Sequence, residues 1–129
     1  MGSAHTRIIV AMAIDDKIIK PKSEEFALRI VKLYKELTGK RRENIMASQL
    51  LRSGTSIGAN VNEAEYAISR AEFHSKMGIA LKEAVESKYW IELLHRSEYL
   101  TKKEFDSLMA DLEPIIKILT KIVKNSGSN

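Results

Sequence analysis

An all-α domain, folded as an antiparallel up-and-down four-helix bundle, is what this sequence predicts, and three observations predict it. Apolar residues recur at helical spacing in four separate stretches, the pattern of amphipathic helices that each bury one face. Only two prolines and six glycines interrupt 129 residues, fewer than the turns of a many-stranded protein require. Short connections join the stretches, which makes successive helices antiparallel neighbours.

The first stretch follows Pro21. Ser23, Glu24 and Glu25 supply a cap and early carboxylates for exposed amides. Phe26, Ile30, Leu33, Tyr34 and Leu37 then form the apolar face, and Gly39 ends it, so a helix is expected over about residues 23–38. A second is expected over about residues 42–69, with Ala47, Leu50, Leu51, Gly54, Ile57, Gly58, Val61 and Ala64 along one side. Its middle, residues 53–60, is poor in helix formers, and each glycine there costs about 1 kcal/mol against alanine. A loop would avoid that cost. The apolar stripe nevertheless keeps its phase, and Gly54 and Gly58, four residues apart, allow close packing by a neighbouring helix.

Ser69 and Glu72 have capping-box spacing and open a third helix, whose stripe is Phe73, Met77, Leu81, Ala84, Ile91 and Leu94. Thr101 and Glu104 repeat the signature ahead of Phe105, Leu108, Met109, Leu112, Ile115, Ile116, Leu119 and Ile122. Pro114 falls inside this fourth helix, where the missing N–H and the ring predict a kink or break. The bundle is thus expected over residues 21–124. Residues 1–20 read as a flexible or extended leader, because Ile8-Ile9-Val10 and Ile18-Ile19 favour a strand or arm. Residues 125–129 read as a disordered tail.

Composition narrows the chemistry. Without cysteine there are no disulfides, thiolate zinc sites or cysteine nucleophiles. The longest apolar run, residues 8–14, is too short to span a bilayer, and Asp15-Asp16 follows it, so no membrane partner and a cytoplasmic location are expected. A net charge of +4 permits weak attraction to nucleic acid without forming a dedicated basic arm.

Catalysis has no visible carrier: no serine, histidine and acid set stands out, and Gly54-x-x-x-Gly58 lacks the Gly-Lys-Ser/Thr ending of a phosphate loop. No cofactor is expected. Glu92-x-x-His95 has the spacing of di-iron bundle ligands but occurs once, with Glu63, Glu83 and Glu86 as loose companions, so a solvated helix face is favoured over a metal site. His5 and His74 add no ligand spacing.

Ser56, Asn60 and Glu63 lie near one helical face and, with Glu83, admit two readings. One is a buried hydrogen-bond network that fixes helix register, which is favoured; the other is a ligand or ion pocket. Lys40, Arg41 and Arg42 at the first helix junction, and Lys117, Lys121 and Lys124 late in the fourth helix, are the candidates for phosphate contact. Lysines near a helix C-terminus are also favoured by its dipole alone.

Residues 26–34 and 48–64, the latter containing Ser56-Ile57-Gly58-Ala59-Asn60-Val61-Asn62-Glu63, resemble the four-helix-bundle proteins encoded within 23S rRNA intervening sequences, as does the stretch 73–94 around Glu83. The resemblance covers about residues 18–123, and Pro114 and the segment before Asp15 depart from it. It implies a homo-oligomeric ring, a pentamer, without enzymatic activity. A more distant likeness is to the accessory bundle of diversity-generating retroelements, which binds nucleic acid and a reverse transcriptase. The expected function is a non-enzymatic oligomeric scaffold with a basic surface for RNA or DNA. A metal- or small-ligand-binding bundle and a protein-interaction module are the alternatives.

Overall fold

The computed structural model describes the backbone of residues 3–127 and the side chains of residues 17–127. Four helices follow one another: α1 (Ser3–Thr38), α2 (Ile45–Ala64), α3 (Arg70–Arg96) and α4 (Lys102–Gly127). No strand occurs among the described residues. Helix α2 packs on α1 and α3, and α4 packs on α3 and more loosely on α1, which closes an antiparallel bundle.

The capping boxes operate as expected. Ser69 Oγ accepts from the Glu72 amide at 3.0 Å while Glu72 Oε1 accepts from the Ile68 amide at 3.0 Å. At α4, Thr101 Oγ1 accepts from the Glu104 amide at 3.1 Å and Glu104 Oε1 accepts from the Thr101 amide at 2.9 Å. Each satisfies helix-end donors that would otherwise lack partners.

Four boundaries differ from expectation, each for a local reason. Helix α1 begins at Ser3 rather than Ser23, so residues 3–20 are helical instead of an extended leader. Ser23 is consequently buried inside the helix, donating to the Lys20 carbonyl at 3.0 Å instead of capping. Pro21 is tolerated within α1 on an exposed face, where the one carbonyl left without its amide can meet water.

Helix α2 starts at Ile45 because Arg42 takes the left-handed conformation (φ 56°) and the buried Glu43 carboxylate accepts the Ala47 amide at 2.9 Å. It stops at Ala64, where the Tyr66 and Ala67 amides close a turn on the Glu63 and Ala64 carbonyls. Pro114 does not break α4, which continues to Gly127, so residues 125–127 are helix rather than tail. Arg70 guanidinium bonds to the Ser126 and Asn125 carbonyls, both at 3.3 Å, hold that end against α3. Residues 128 and 129 of the expected tail lie outside the described residues.

The small-residue stretch of α2 stays helical throughout. Its side chains satisfy themselves locally: the hydroxyls of Thr55 and Ser56 donate to the Leu51 and Arg52 carbonyls at 2.7 Å each, and the Asn60 amide donates to the Ser56 carbonyl at 2.9 Å. Close packing accompanies the glycines. A Cβ on Gly54 would lie 3.0 Å from Ile30 Cγ1, and one on Gly58 would lie 3.4 Å from the Ser23 carbonyl oxygen. Around this contact Phe26, Ile30 and Leu37 of α1 join Leu50 and Ile57 of α2, Met77, Ile91 and Leu94 of α3, and Leu112 and Leu119 of α4 in one core. Burial of each large side chain stabilises the fold by about 1.5–3 kcal/mol.

Candidate nucleic-acid interface

Helix α4 buries Leu108, Met109, Leu112, Ile115, Leu119, Ile122 and Ser126, which turns the opposite face outward. Lys117, Lys121 and Lys124, spaced four and three residues apart, stand on that outer face and are exposed. Lys117 and Lys121 make no ion pair or hydrogen bond among the described residues. Arg29 on α1 pairs with α4 through Ser107 and Asp111, the latter at 2.6 Å.

The other basic group divides. Lys40 is 85% exposed and reaches Glu36 at only 4.0 Å, and Arg42 is exposed. Arg41 is a strut instead. Its guanidinium donates to both oxygens of Glu104, at 3.0 and 2.6 Å, and to the Tyr99 carbonyl at 2.8 Å, tying the α1–α2 connection to the start of α4. Arg41, helped by the Thr101 amide, holds the Glu104 carboxyl down at about 2, and Glu104 in turn raises the Arg41 guanidinium above its ordinary value. A guanidinium committed to a bidentate pair and a carbonyl has little left for phosphate. Because α1 ends where α4 begins, Lys40 and Arg42 lie at the opposite end of the bundle from Lys124, and the six residues do not form one patch.

The expected buried network of Ser56, Asn60, Glu63 and Glu83 is not assembled. Ser56 and Asn60 turn back on their own helix, Glu63 is 57% exposed and pairs with Lys76 at 2.7 Å, and Glu83 meets Arg52 at 3.2 Å. The polar contact that does cross the core joins Ser87 Oγ to Ser53 Oγ at 2.9 Å, with both side chains fully buried. Ser53 was missed by the sequence reading; its place at a core phase of α2, three residues after Leu50 and four before Ile57, is the signal that could have found it. Outside it, Arg52 bridges Glu83 and Glu86, and Glu86 Oε2 also accepts the Trp90 indole N–H at 2.9 Å.

The Glu92–His95 pair is not gathered into a ligand set. His95 stacks on Phe105 with ring centroids 4.4 Å apart, and among the described residues no three histidines or carboxylates converge as metal ligands would. His74 Nδ1 lies 2.9 Å from Ser126 Oγ, and the His5 side chain is outside the described residues. The sequence admitted a pocket beside Asn60 and Glu63 as the alternative; the groove of about 320 Å³ between α1 and α2 is lined instead by Ser23, Ala27, Thr55, Gly58 and Asn62 among others.

An antiparallel bundle whose polar side chains serve helix ends and helix junctions, with a lysine stripe on its last helix, defines an all-α helical-bundle protein. No helix among the described residues is long and apolar enough to cross a membrane. The family model of the 23S rRNA-intervening sequence protein matches residues 15–121, and the chain belongs to that family. It is 54% identical to a protein of unknown function from the S23 ribosomal protein family of Bacteroides thetaiotaomicron, known from a crystal structure; the match covers 85% of this chain and 98% of that one, with a TM-score of 0.84. No curated protein matches the chain.

Proposed function

We propose that this chain is a non-enzymatic, cytoplasmic helical scaffold that assembles as a homo-oligomer and contacts RNA or DNA phosphates through the α4 stripe. The observation that carries the phosphate contact is the exposure of Lys117 and Lys121, one turn apart on a rigid helix and without protein partners among the described residues. Lysines so placed gain from displacing the counterions condensed on nucleic acid. Lys124 extends the stripe, whereas Arg41 drops out because Glu104 already neutralises it. Nucleic-acid charge is read here as shape and density rather than sequence, since no base-stacking aromatics line the stripe.

The test is binding to a structured RNA and to duplex DNA across a salt series. Replacing Lys117 and Lys121 with Gln should weaken binding and lower the salt slope by about 2, about one per lost phosphate contact. Binding that ignores salt, or that survives both substitutions unchanged, refutes the phosphate contact. A monomer mass in light scattering at all working concentrations refutes the assembly.

A further inference from the structure

Three of the large apolar side chains exposed on the surface, Ile79 (38%), Val85 (52%) and Tyr89 (55%), share the outer side of α3. The core side of that helix is occupied by Phe73, Met77, Ala80, Ala84, Ser87, Ile91 and Leu94. Opposite it, Ser75, Ile79, Lys82, Glu86, Tyr89 and Leu93 follow one another at intervals of 4, 3, 4, 3 and 4 residues. That is the spacing of a coiled-coil seam, here with Ser75, Ile79, Lys82 and Tyr89 exposed and Glu86 and Leu93 half-buried. A helix needs only one such stripe to join its own bundle, and of the six side chains on this second one that of Glu86 alone makes a hydrogen bond or ion pair among the described residues.

The stripe is complementary to itself when reversed. An antiparallel copy centred on Ala84 sets Ser75 opposite Leu93, Ile79 opposite Tyr89, and Lys82 opposite Glu86. Small meets large, apolar meets aromatic, and cation meets carboxylate, twice each by symmetry. In a parallel arrangement Lys82 would instead face Lys82 and Glu86 face Glu86. Lys82 has no partner among the described residues, and both described bonds to Glu86 go to Oε2, leaving Oε1 for an incoming ammonium. Gly78 has open space where a Cβ would stand, leaving room on the flank of the seam for an approaching helix.

We infer that α3 is an isologous docking surface for a second copy of this chain, paired antiparallel about Ala84. The inference rests on the self-association in the proposed function and adds its location and register. An isologous contact closes on itself as a pair, so in a ring assembly it would join two rings rather than build one. A seam running from Ser75 to Leu93 is about 27 Å long, and a single helix pair of that length falls in the class of small, reversible interfaces. Dissociation on dilution and weakening by salt are expected.

The absence of native cysteine makes register directly testable. Full-length Ile79→Cys and Tyr89→Cys proteins, both altered at exposed positions, are mixed under mild oxidation. Antiparallel pairing predicts a disulfide between the two different variants. Ile79→Cys alone should cross-link poorly, because its two copies would be separated by about 15 Å along the seam. Pairs of the Lys82→Glu variant should have a dissociation constant about tenfold above that of wild-type pairs, because like charges then stand opposite each other. Absence of the mixed disulfide, equal cross-linking of Ile79→Cys with itself, or an unchanged constant for Lys82→Glu overturns the inference. If the wild-type protein keeps an oligomeric mass in those cases, self-association stands and only this surface is refuted; a monomer at every concentration refutes both.

Discussion

Gly54 and Gly58 both interrupt the same face of α2, yet the structure assigns them opposite responses to alanine. At Gly58 the added Cβ would lie 3.4 Å from the Ser23 carbonyl oxygen, an ordinary contact, so the helix keeps nearly the full propensity gain of about 1 kcal/mol. At Gly54 the Cβ would lie 3.0 Å from Ile30 Cγ1 and 3.1 Å from Cγ2. Ile30 is fully buried and β-branched, so its rotamer is fixed and it has nowhere to retreat. Overpacking of this kind costs about 1–3 kcal/mol, enough to outweigh the propensity gain. Gly58→Ala should therefore stabilise by about 0.5–1 kcal/mol while Gly54→Ala destabilises by about 1–2 kcal/mol. Chemical denaturation at fixed protein concentration, read as midpoint shifts at unchanged slope, measures both. Ile30→Ala removes the two atoms that clash, so Gly54→Ala should cost less in that background, with a coupling of about 1 kcal/mol. If Gly54→Ala proves as stabilising as Gly58→Ala, close approach of α1 to α2 is not what these glycines serve.

Acid should find the Arg41–Glu104 strut. Glu104 titrates near 2 in the folded chain instead of 4.5, so its stabilisation is complete above pH 4.5 and drains away as pH falls toward 2. Glu104 is 33% exposed, and solvent screening reduces the contribution to about 1–2 kcal/mol; Glu104→Gln should flatten the stability profile across that window, as followed by denaturation at stepped pH. Ser69→Ala removes the acceptor of the Glu72 amide and should destabilise by about 1 kcal/mol in urea unfolding. Ser87→Ala leaves Ser53 buried with only a 3.4 Å bond to the Leu50 carbonyl and should cost about 1–2 kcal/mol; a neutral result would show that the inter-helix hydroxyl pair adds nothing.

The four helices were legible because their information is local. Phe26, Ile30 and Leu37, or Leu112, Ile115 and Leu119, repeat at the period of one helix face, and both capping boxes lie within four residues. The ends of α1 and α2 were not legible. The N-terminal isoleucines and valine favour strands only weakly, Pro21 breaks a helix only where its freed carbonyl lacks water, and Arg42 turns left-handed without a glycine to announce it.

The candidate site divides along the same line. Spacing alone placed Lys117, Lys121 and Lys124 on one face of α4, and the membership of residues 48–64 in a helical family pattern was visible before any fold was known. Only packing decided that Arg41 is absorbed by Glu104, that Ser56, Asn60 and Glu63 turn to their own helix or to solvent, and that Ser53 finds Ser87 across the core. Periodicity states which residues share a face of a helix. It carries no information about which residue of another helix stands opposite, because that register is set by the fit of side chains as far as 34 to 82 positions apart in the chain.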